Sequence, residues 1–552
     1  MNYRAFFFPL VAVAPLAAQN ALFPSASYFR QQWTKPPLEV QIQPPLRLED
    51  YVASGKLELS LRSYIELVMA NNTDVAIQRL TLLTAQNAIQ RSFAPFDPSF
   101  QASFNSNRSN TPSNNLLEGA SVLSNLSQRA NFTYNQLMES GTLYQVGFVG
   151  GKTANNSSFT NFNPSITTNL QLNVTQPLLR NRGVYVNRIP IMVARSRFRA
   201  ASADLRDRIT LLLAQSENSY WDAIDARETL KVRQKSLELA EAFLKRSRRE
   251  LELGAISPLE IFQPEQQFAT AQVSVTQASY RLKQREDALR RWIGADLHAE
   301  IRKLPLELTE TVLPPADTRN IDEEDAIAKA LRLRPETEAS RYTQDVADLQ
   351  IQSATNRLRP DLSLGGNYIS QGRGGNFFSR TFAGATGGGP GGQGGPLTLI
   401  PGGFGDAIDQ LFDFRFPVYG FTLSLRFPIR DRAVAAELSD ATIAKKRELL
   451  ALRSLEQRIR LEVLNAISGV DQSRAGVRQA TVARDFAQKR FNAEERKYEL
   501  GASQPFFVLQ AQTDLTNAES ELLSQSIAYR RNQLTLLQVT GELLDERNVV
   551  IQ

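Results

Sequence analysis

The chain contains no cysteine and only one histidine, His298. Zinc, haem and iron–sulfur centres draw their ligands from those side chains, so no such centre is expected and no cofactor is called for. A cysteine nucleophile is excluded. A serine–histidine pair would rest on His298 alone, in a polar stretch just past a helical segment, where a surface position is the simpler reading. No disulfide can staple the fold, and lipid attachment through a mature N-terminal cysteine is ruled out. Nor does any run reach about 18 uninterrupted apolar residues, as a membrane-crossing helix requires. The glycine-rich run GATGGGPGGQGGP (384–396) lacks the Lys–Ser/Thr of a phosphate-binding loop and suits an exposed hairpin loop.

Charge of one sign is also missing. The net charge of +6 arises from 63 basic and 57 acidic residues interleaved along helical stretches, as in KRSRRELE (245–252). Interleaving of this kind makes a solvated face and argues against a nucleic-acid partner. The N-terminus MNYRAFFFPLVAVAPLAAQNA has one arginine, an apolar core and then small residues, the pattern of an export signal over 1–21. A proline-rich arm follows over 22–56.

One stretch occurs twice. LELGAISPLEIFQPEQQFATAQ (251–272) returns as YELGASQPFFVLQAQTDLTNAE (498–519), and Glu252, Leu253, Gly254, Ala255, Pro258, Gln263 and Ala271 recur 247 residues on. Long helical patterns flank each copy, so each marks the tip of a helical hairpin. Ser257, Pro258 and Glu260 predict a capped return helix over 257–293, and Pro505 starts its counterpart over 505–540. A second pair of blocks, 57–100 and 323–364, matches at an offset of 262 through Asp74/Glu336, Ala85/Ala347, Ile89/Ile351 and Pro98/Pro360. Blocks repeating in the same order predict an internal duplication of 57–294 and 322–541, joined by a linker over 295–321 and followed by a tail over 542–552.

Between the helical blocks the period changes to two. Phe100, Ala102 and Phe104 alternate with polar residues, as do Phe132 and Tyr134, then Tyr144, Val146 and Phe148, then Leu170, Leu172 and Val174. Stretches of about ten residues with one apolar and one polar face suit strands between lipid and a watery lumen. They fall at about 98–176 and again at 361–428. The helices over 187–253 and 433–500 would each extend about 100 Å, and their sevenfold spacing (Ala223, Leu230, Leu237, Leu244 and Leu251; Val463, Val470, Val477, Phe491 and Tyr498) implies coiled-coil packing. The fold class is therefore all-α with a β-barrel portion, built from duplicated helix–β-hairpin–long helix–helix repeats. A secreted coiled-coil scaffold or adhesin without a channel is the alternative reading, and it leaves the strands idle.

The duplicated set, with ALRLRPETEASRYTQDVADLQIQSATNRLRPDLSL (330–364), TQPLLRNRG (175–183) and the two LGA tips, resembles the TolC-like outer membrane efflux protein family. The resemblance implies a homotrimer pooling strands into one outer-membrane barrel above a periplasmic α-helical tunnel. It implies no enzymatic activity but passive export in a tripartite efflux or type I secretion system. It also implies a periplasmic adaptor, docked at Leu253, Gly254, Ala255, Leu500, Gly501 and Ala502 and coupled to an inner-membrane pump. The linker 295–321 and the tail 542–552 would form an equatorial belt. The family's four strands per protomer would close a twelve-stranded barrel, whereas an added hairpin at 129–149 would make six, and eighteen in all. Relatives close the tip with aspartates six and nine positions after the second tip glycine, where this chain has Phe507 and Gln510. Glu260 and Asp514 are the remaining acids for a gate, and an apolar or amide constriction is expected. Trivalent cations should therefore leave single-channel conductance nearly unchanged; a collapse of conductance would mean an acidic ring.

Overall fold

The computed structural model describes residues 46–53, 55–113, 119–157, 160–254, 256–297, 300–312, 322–380 and 397–550. The expected export signal, most of the arm 22–56, Ala255, His298, the linker residues 298–299 and 313–321 and the glycine-rich loop lie outside them.

Each repeat is built on one very long helix. α3 (Ile189–Glu252) and α8 (Arg432–Glu499) span 64 and 68 residues. Alongside α3 lie the shorter helices α1 (Leu61–Asn71) and α2 (Thr73–Ser92), which together make about half its length, and α4 (Phe262–Trp292), which makes half alone. Alongside α8 lie α5 (Glu323–Leu333), α6 (Pro335–Arg357) and α9 (Pro505–Thr540). The sevenfold seam is inward on both long helices, with Ala223, Leu244, Val463 and Val470 buried.

The short helices meet at a duplicated joint. In the first repeat Asn72 caps α2, accepting from the amides of Asp74 and Val75, and its Nδ2 donates to Trp292 O at the end of α4. Gly294 closes α4 at φ +71°, and a Cβ there would lie 3.5 Å from Asn71 O. In the second repeat Gly541, at φ +80°, closes α9, and a Cβ would lie 3.2 Å from Leu333. Only glycine holds this left-handed conformation without cost, so the same turn is used twice.

The first helical block, expected to open with a helix at Leu57, opens instead with a strand over residues 56–59. Leu57 and Leu59 are buried while Lys56 and Glu58 are exposed, a period of two. They form β2 (Lys56–Leu59), between β1 (Val52–Ala53) and the parallel β7 (Leu306–Leu308). This small sheet joins the main core with Tyr64, Leu213, Tyr220, Leu289 and Leu543. The one-turn helix α10 (Leu543–Glu546) leads to Arg547, which donates twice to the buried carboxylate of Glu217 at 2.6 and 3.0 Å.

Of the four- and six-strand alternatives, the large sheet has six, with the added hairpin present. Among the described residues it has six long strands, β3 (Ser99–Pro112), β4 (Val122–Leu137), β5 (Leu143–Asn155), β6 (Phe162–Pro177), β8 (Asp361–Arg380) and β10 (Pro417–Arg426). The short β9 (Leu397–Ile400) pairs with the outer end of β8. The order is β10-β8-β6-β5-β4-β3, antiparallel throughout. The added hairpin β4–β5 forms because its alternation is in register, with Phe132 opposite Phe148 and Tyr134 opposite Val146. Its turn is wedged against the strand-to-helix junction, where a Cβ on Gly141 would lie 2.5 Å from Asn181 O.

Glu217 is 1% exposed, so Arg547→Met strands a buried carboxylate and should cost about 3–5 kcal/mol. Urea unfolding in detergent checks this, and Glu217→Met added to Arg547→Met should restore most of the loss.

Candidate functional site

The two tips lie where α3 and α8 turn back. Gly254 sits at φ +73° and donates to Leu251 O at 3.0 Å. Gly501 sits at φ +70°, donates to Tyr498 O at 3.0 Å, and is followed by Ala502 donating to Lys497 O at 2.8 Å. These paired bonds satisfy the last helical carbonyls and stop the helix. A Cβ at either glycine meets nothing within 4 Å, so the demand for glycine comes from the dihedral alone. The turn leaves Leu253 and Leu500 83% and 78% exposed. The two open leucines stand at corresponding places in the two repeats.

The return paths differ. α9 begins at Pro505 as expected, but α4 begins at Phe262, five residues later than the expected start. The reason is Pro264, which has no N–H and fits only within a first turn. Ser257 therefore builds a turn instead, accepting from Glu260 N at 2.9 Å through its carbonyl and from Leu259 N at 3.3 Å through its hydroxyl. The capping box expected from Ser257 and Glu260 does not form. In the second copy Ala511 stands where Pro264 stands, and the helix runs from its first possible residue.

The gate candidates are not brought into one cluster. Phe507 packs edge-on against Phe506 at 5.5 Å and stays half exposed. Gln510 donates to Asp514 Oδ1 at 2.9 Å, and Arg490 bonds Asp514 Oδ2 at 2.8 Å. Asp514 is thus already compensated within its own hairpin. Glu260 is exposed in the turn of the other hairpin.

A contact between the hairpins escaped the sequence reading. The Tyr498 hydroxyl donates to the Glu250 carboxylate, which also accepts from Arg246 Nε at 3.0 Å. The Arg246 guanidinium lies 4.8 Å above the Tyr498 ring, and Phe243 packs against that ring at 5.6 Å. Tyr498 is 9% exposed and shares a core with Phe491, Val508, Ala511 and Leu515. Burial, then the bond to Glu250, push its hydroxyl well above the usual phenol range, so it remains a proton donor. The available signal was Tyr498 itself, a polar-tipped ring where the first copy has Leu251.

The sequence matches the family model described as "Outer membrane efflux protein" over residues 64–295 and 326–542. No curated protein sequence matches. Several solved structures share the fold. The Campylobacter jejuni CmeC outer membrane channel is 14% identical over 95% of this chain and 94% of its own, with a TM-score of 0.59. The Vibrio cholerae outer membrane protein VceC is 13% identical over 87% and 96%, at 0.58. The open state of the Neisseria gonorrhoeae MtrE outer membrane channel is 17% identical over 88% and 89%, at 0.56.

Gly501→Ala should weaken the tip by about 1 kcal/mol through its positive φ, without any clash. Faster hydrogen exchange at the Ala502 amide, with less effect from Gly501→Asn, would show it.

Proposed function

The chain belongs to the outer membrane efflux protein family, and on that premise we propose that it is the passive exit duct of a tripartite export machine. As a family member it is an outer-membrane efflux channel with its helical part in the periplasm, and it is not an enzyme. That membership sets aside the scaffold reading. Three copies assemble, and the tips Leu253, Gly254, Ala255, Leu500, Gly501 and Ala502 dock a periplasmic adaptor that couples the duct to an inner-membrane pump. In this arrangement 57–294 and 322–541 act as the two repeats, 295–321 and 542–552 as the belt, and 1–21 as the export signal.

The observation that carries the reading is the pair of open edges. Among the described residues β3 and β10 each have a neighbour on one side only, and every residue of both is exposed. Hydrocarbon tolerates no unpaired strand edge, so β10 of one copy must pair with β3 of the next until the ring closes. The first 27 residues of α8 also bury no side chain within one copy, which suits a helix awaiting a neighbour. Three copies of six strands give an eighteen-stranded barrel, about half as wide again as one of twelve. At the other end, Phe507 and Gln510 form an apolar and amide constriction, held shut by the Tyr498–Glu250–Arg246 contact.

Because the chain lacks cysteine, Leu253→Cys and Leu500→Cys each provide a sole thiol for crosslinking in cells. Both should capture one periplasmic protein, and capture of nothing from either site would sink the docking reading. Tyr498→Phe removes a hydrogen bond to a charged group, about 1.5–3 kcal/mol per copy. Openings in planar bilayers should then become several-fold more frequent, and an unchanged record would remove the contact from the gate.

A further inference from the structure

We propose that α7 (Phe404–Phe412) is an external collar helix, clamped to the lipid-facing wall of the barrel and embedded at the outer boundary between acyl chains and headgroups. This rests on reading the apolar face of the large sheet as the lipid face.

The register fixes which face α7 covers. Residues directly opposite one another share a face, so Val146, Leu172, Tyr368 and Tyr419 form one apolar row, and Phe148, Leu170 and Ser370 the next. The opposite face carries Asn131, Thr133, Gln145, Asn173, Gln171 and Asn367. α7 lies on the apolar side. Thr168 Oγ1 donates to Ala407 O at 2.8 Å and Ser370 Oγ donates to Leu411 O at 2.6 Å, with all four residues buried. Gln410 Oε1 accepts from the Arg373 amide at 3.1 Å.

The wall is carved to fit. A Cβ on Gly372 would lie 1.8 Å from Ala407 O, and one on Gly374 would lie 2.0 Å from Gly403 O. Just here the wall loses its own apolar side chains, for the next row is Gly150, Thr168 and Gly372. The helix replaces them. At 100° per residue Phe404, Ile408 and Phe412 share the flank beside the buried Ala407 and Leu411, while Asp406, Asp409 and Asp413 point elsewhere. Beyond the helix, Phe414 adopts φ +53°, a conformation that bulky residues avoid. Its ring lies 6.1 Å from that of Tyr368. Phe404, Phe412, Phe414 and Phe416 remain half exposed or more.

Height identifies the occupant. Counting from Asp361 at about 3.3 Å per residue and a tilt of about 40°, Ser370 stands roughly 23 Å and Gly374 roughly 33 Å above the periplasmic end of β8. The apolar band of such barrels is about 25 Å tall, so α7 straddles its outer rim. An amphipathic helix with aromatics on one side and acids on the other belongs at that boundary.

The test uses sole cysteines in the full chain, labelled with an environment-sensitive fluorophore in phosphatidylcholine proteoliposomes. Phe412→Cys should be quenched by nitroxide carried on the lipids and protected from aqueous iodide, with Asp409→Cys showing the reverse. Iodide quenching at Phe412→Cys equal to that at Asp409→Cys overturns the proposal, and so does protection from both quenchers, which would mean packing against another copy. Leu172→Cys, on the wall below, is the control. Lipid quenching there with water exposure at Phe412→Cys defeats the collar alone, whereas water exposure at both defeats the reading of the wall. Adding Gly372→Val to Phe412→Cys should unseat the helix and transfer the label to iodide; retention in lipid would show that the carved seat does not hold it.

Discussion

A hydrocarbon layer offers no hydrogen-bond partners, and the rest of the molecule is arranged to meet that condition. Among the described residues of one copy, β4, β5, β6 and β8 have neighbours on both sides, and β3 and β10 do not. In the proposed assembly the edges of other copies supply the missing partners, which makes association a condition of residence in the membrane. The same condition explains why the sheet has one apolar and one amide-rich face, since closure puts lipid on one side and water on the other.

Below the membrane the problem is length. A helix of 68 residues needs packing partners along about 100 Å, and the chain supplies them by abutting two half-length helices at a joint. In both repeats the joint is a left-handed glycine, Gly294 or Gly541, set against the break between two short helices. Asn72 and Trp292 tie the first joint, and Arg334 bonds Glu462 and Glu336 near the second. The bonding differs while the geometry is shared, as expected of a duplicated unit whose copies have diverged in sequence faster than in backbone.

The long elements were legible because their signals accumulate over many residues. α8 begins one residue before the expected start and α9 has the expected bounds. The features that escaped rest on single residues or distant partners. Pro264 alone moves the start of α4, and a capping pattern three residues long cannot outweigh a missing N–H. Leu57 and Leu59 read as an extension of the helix that begins at Leu61, and only pairing with Leu306–Leu308, about 250 residues away, makes them a strand. Tyr498 was visible as a seam position, but its partner Glu250 lies on the other hairpin. The seat of α7 depends on Gly372 and Gly374 facing a segment about thirty residues later in the chain, which no local periodicity encodes.

The hairpin β4–β5 enters between β3 and β6, and its two ends return to the same side of the sheet. The bore of the barrel is therefore set by how many hairpins one repeat carries, and the bore of the tunnel by the helices. A duct built this way can flare at its mouth while its shaft stays narrow. The outer-membrane end is thereby free to vary with the surface of the cell that bears it.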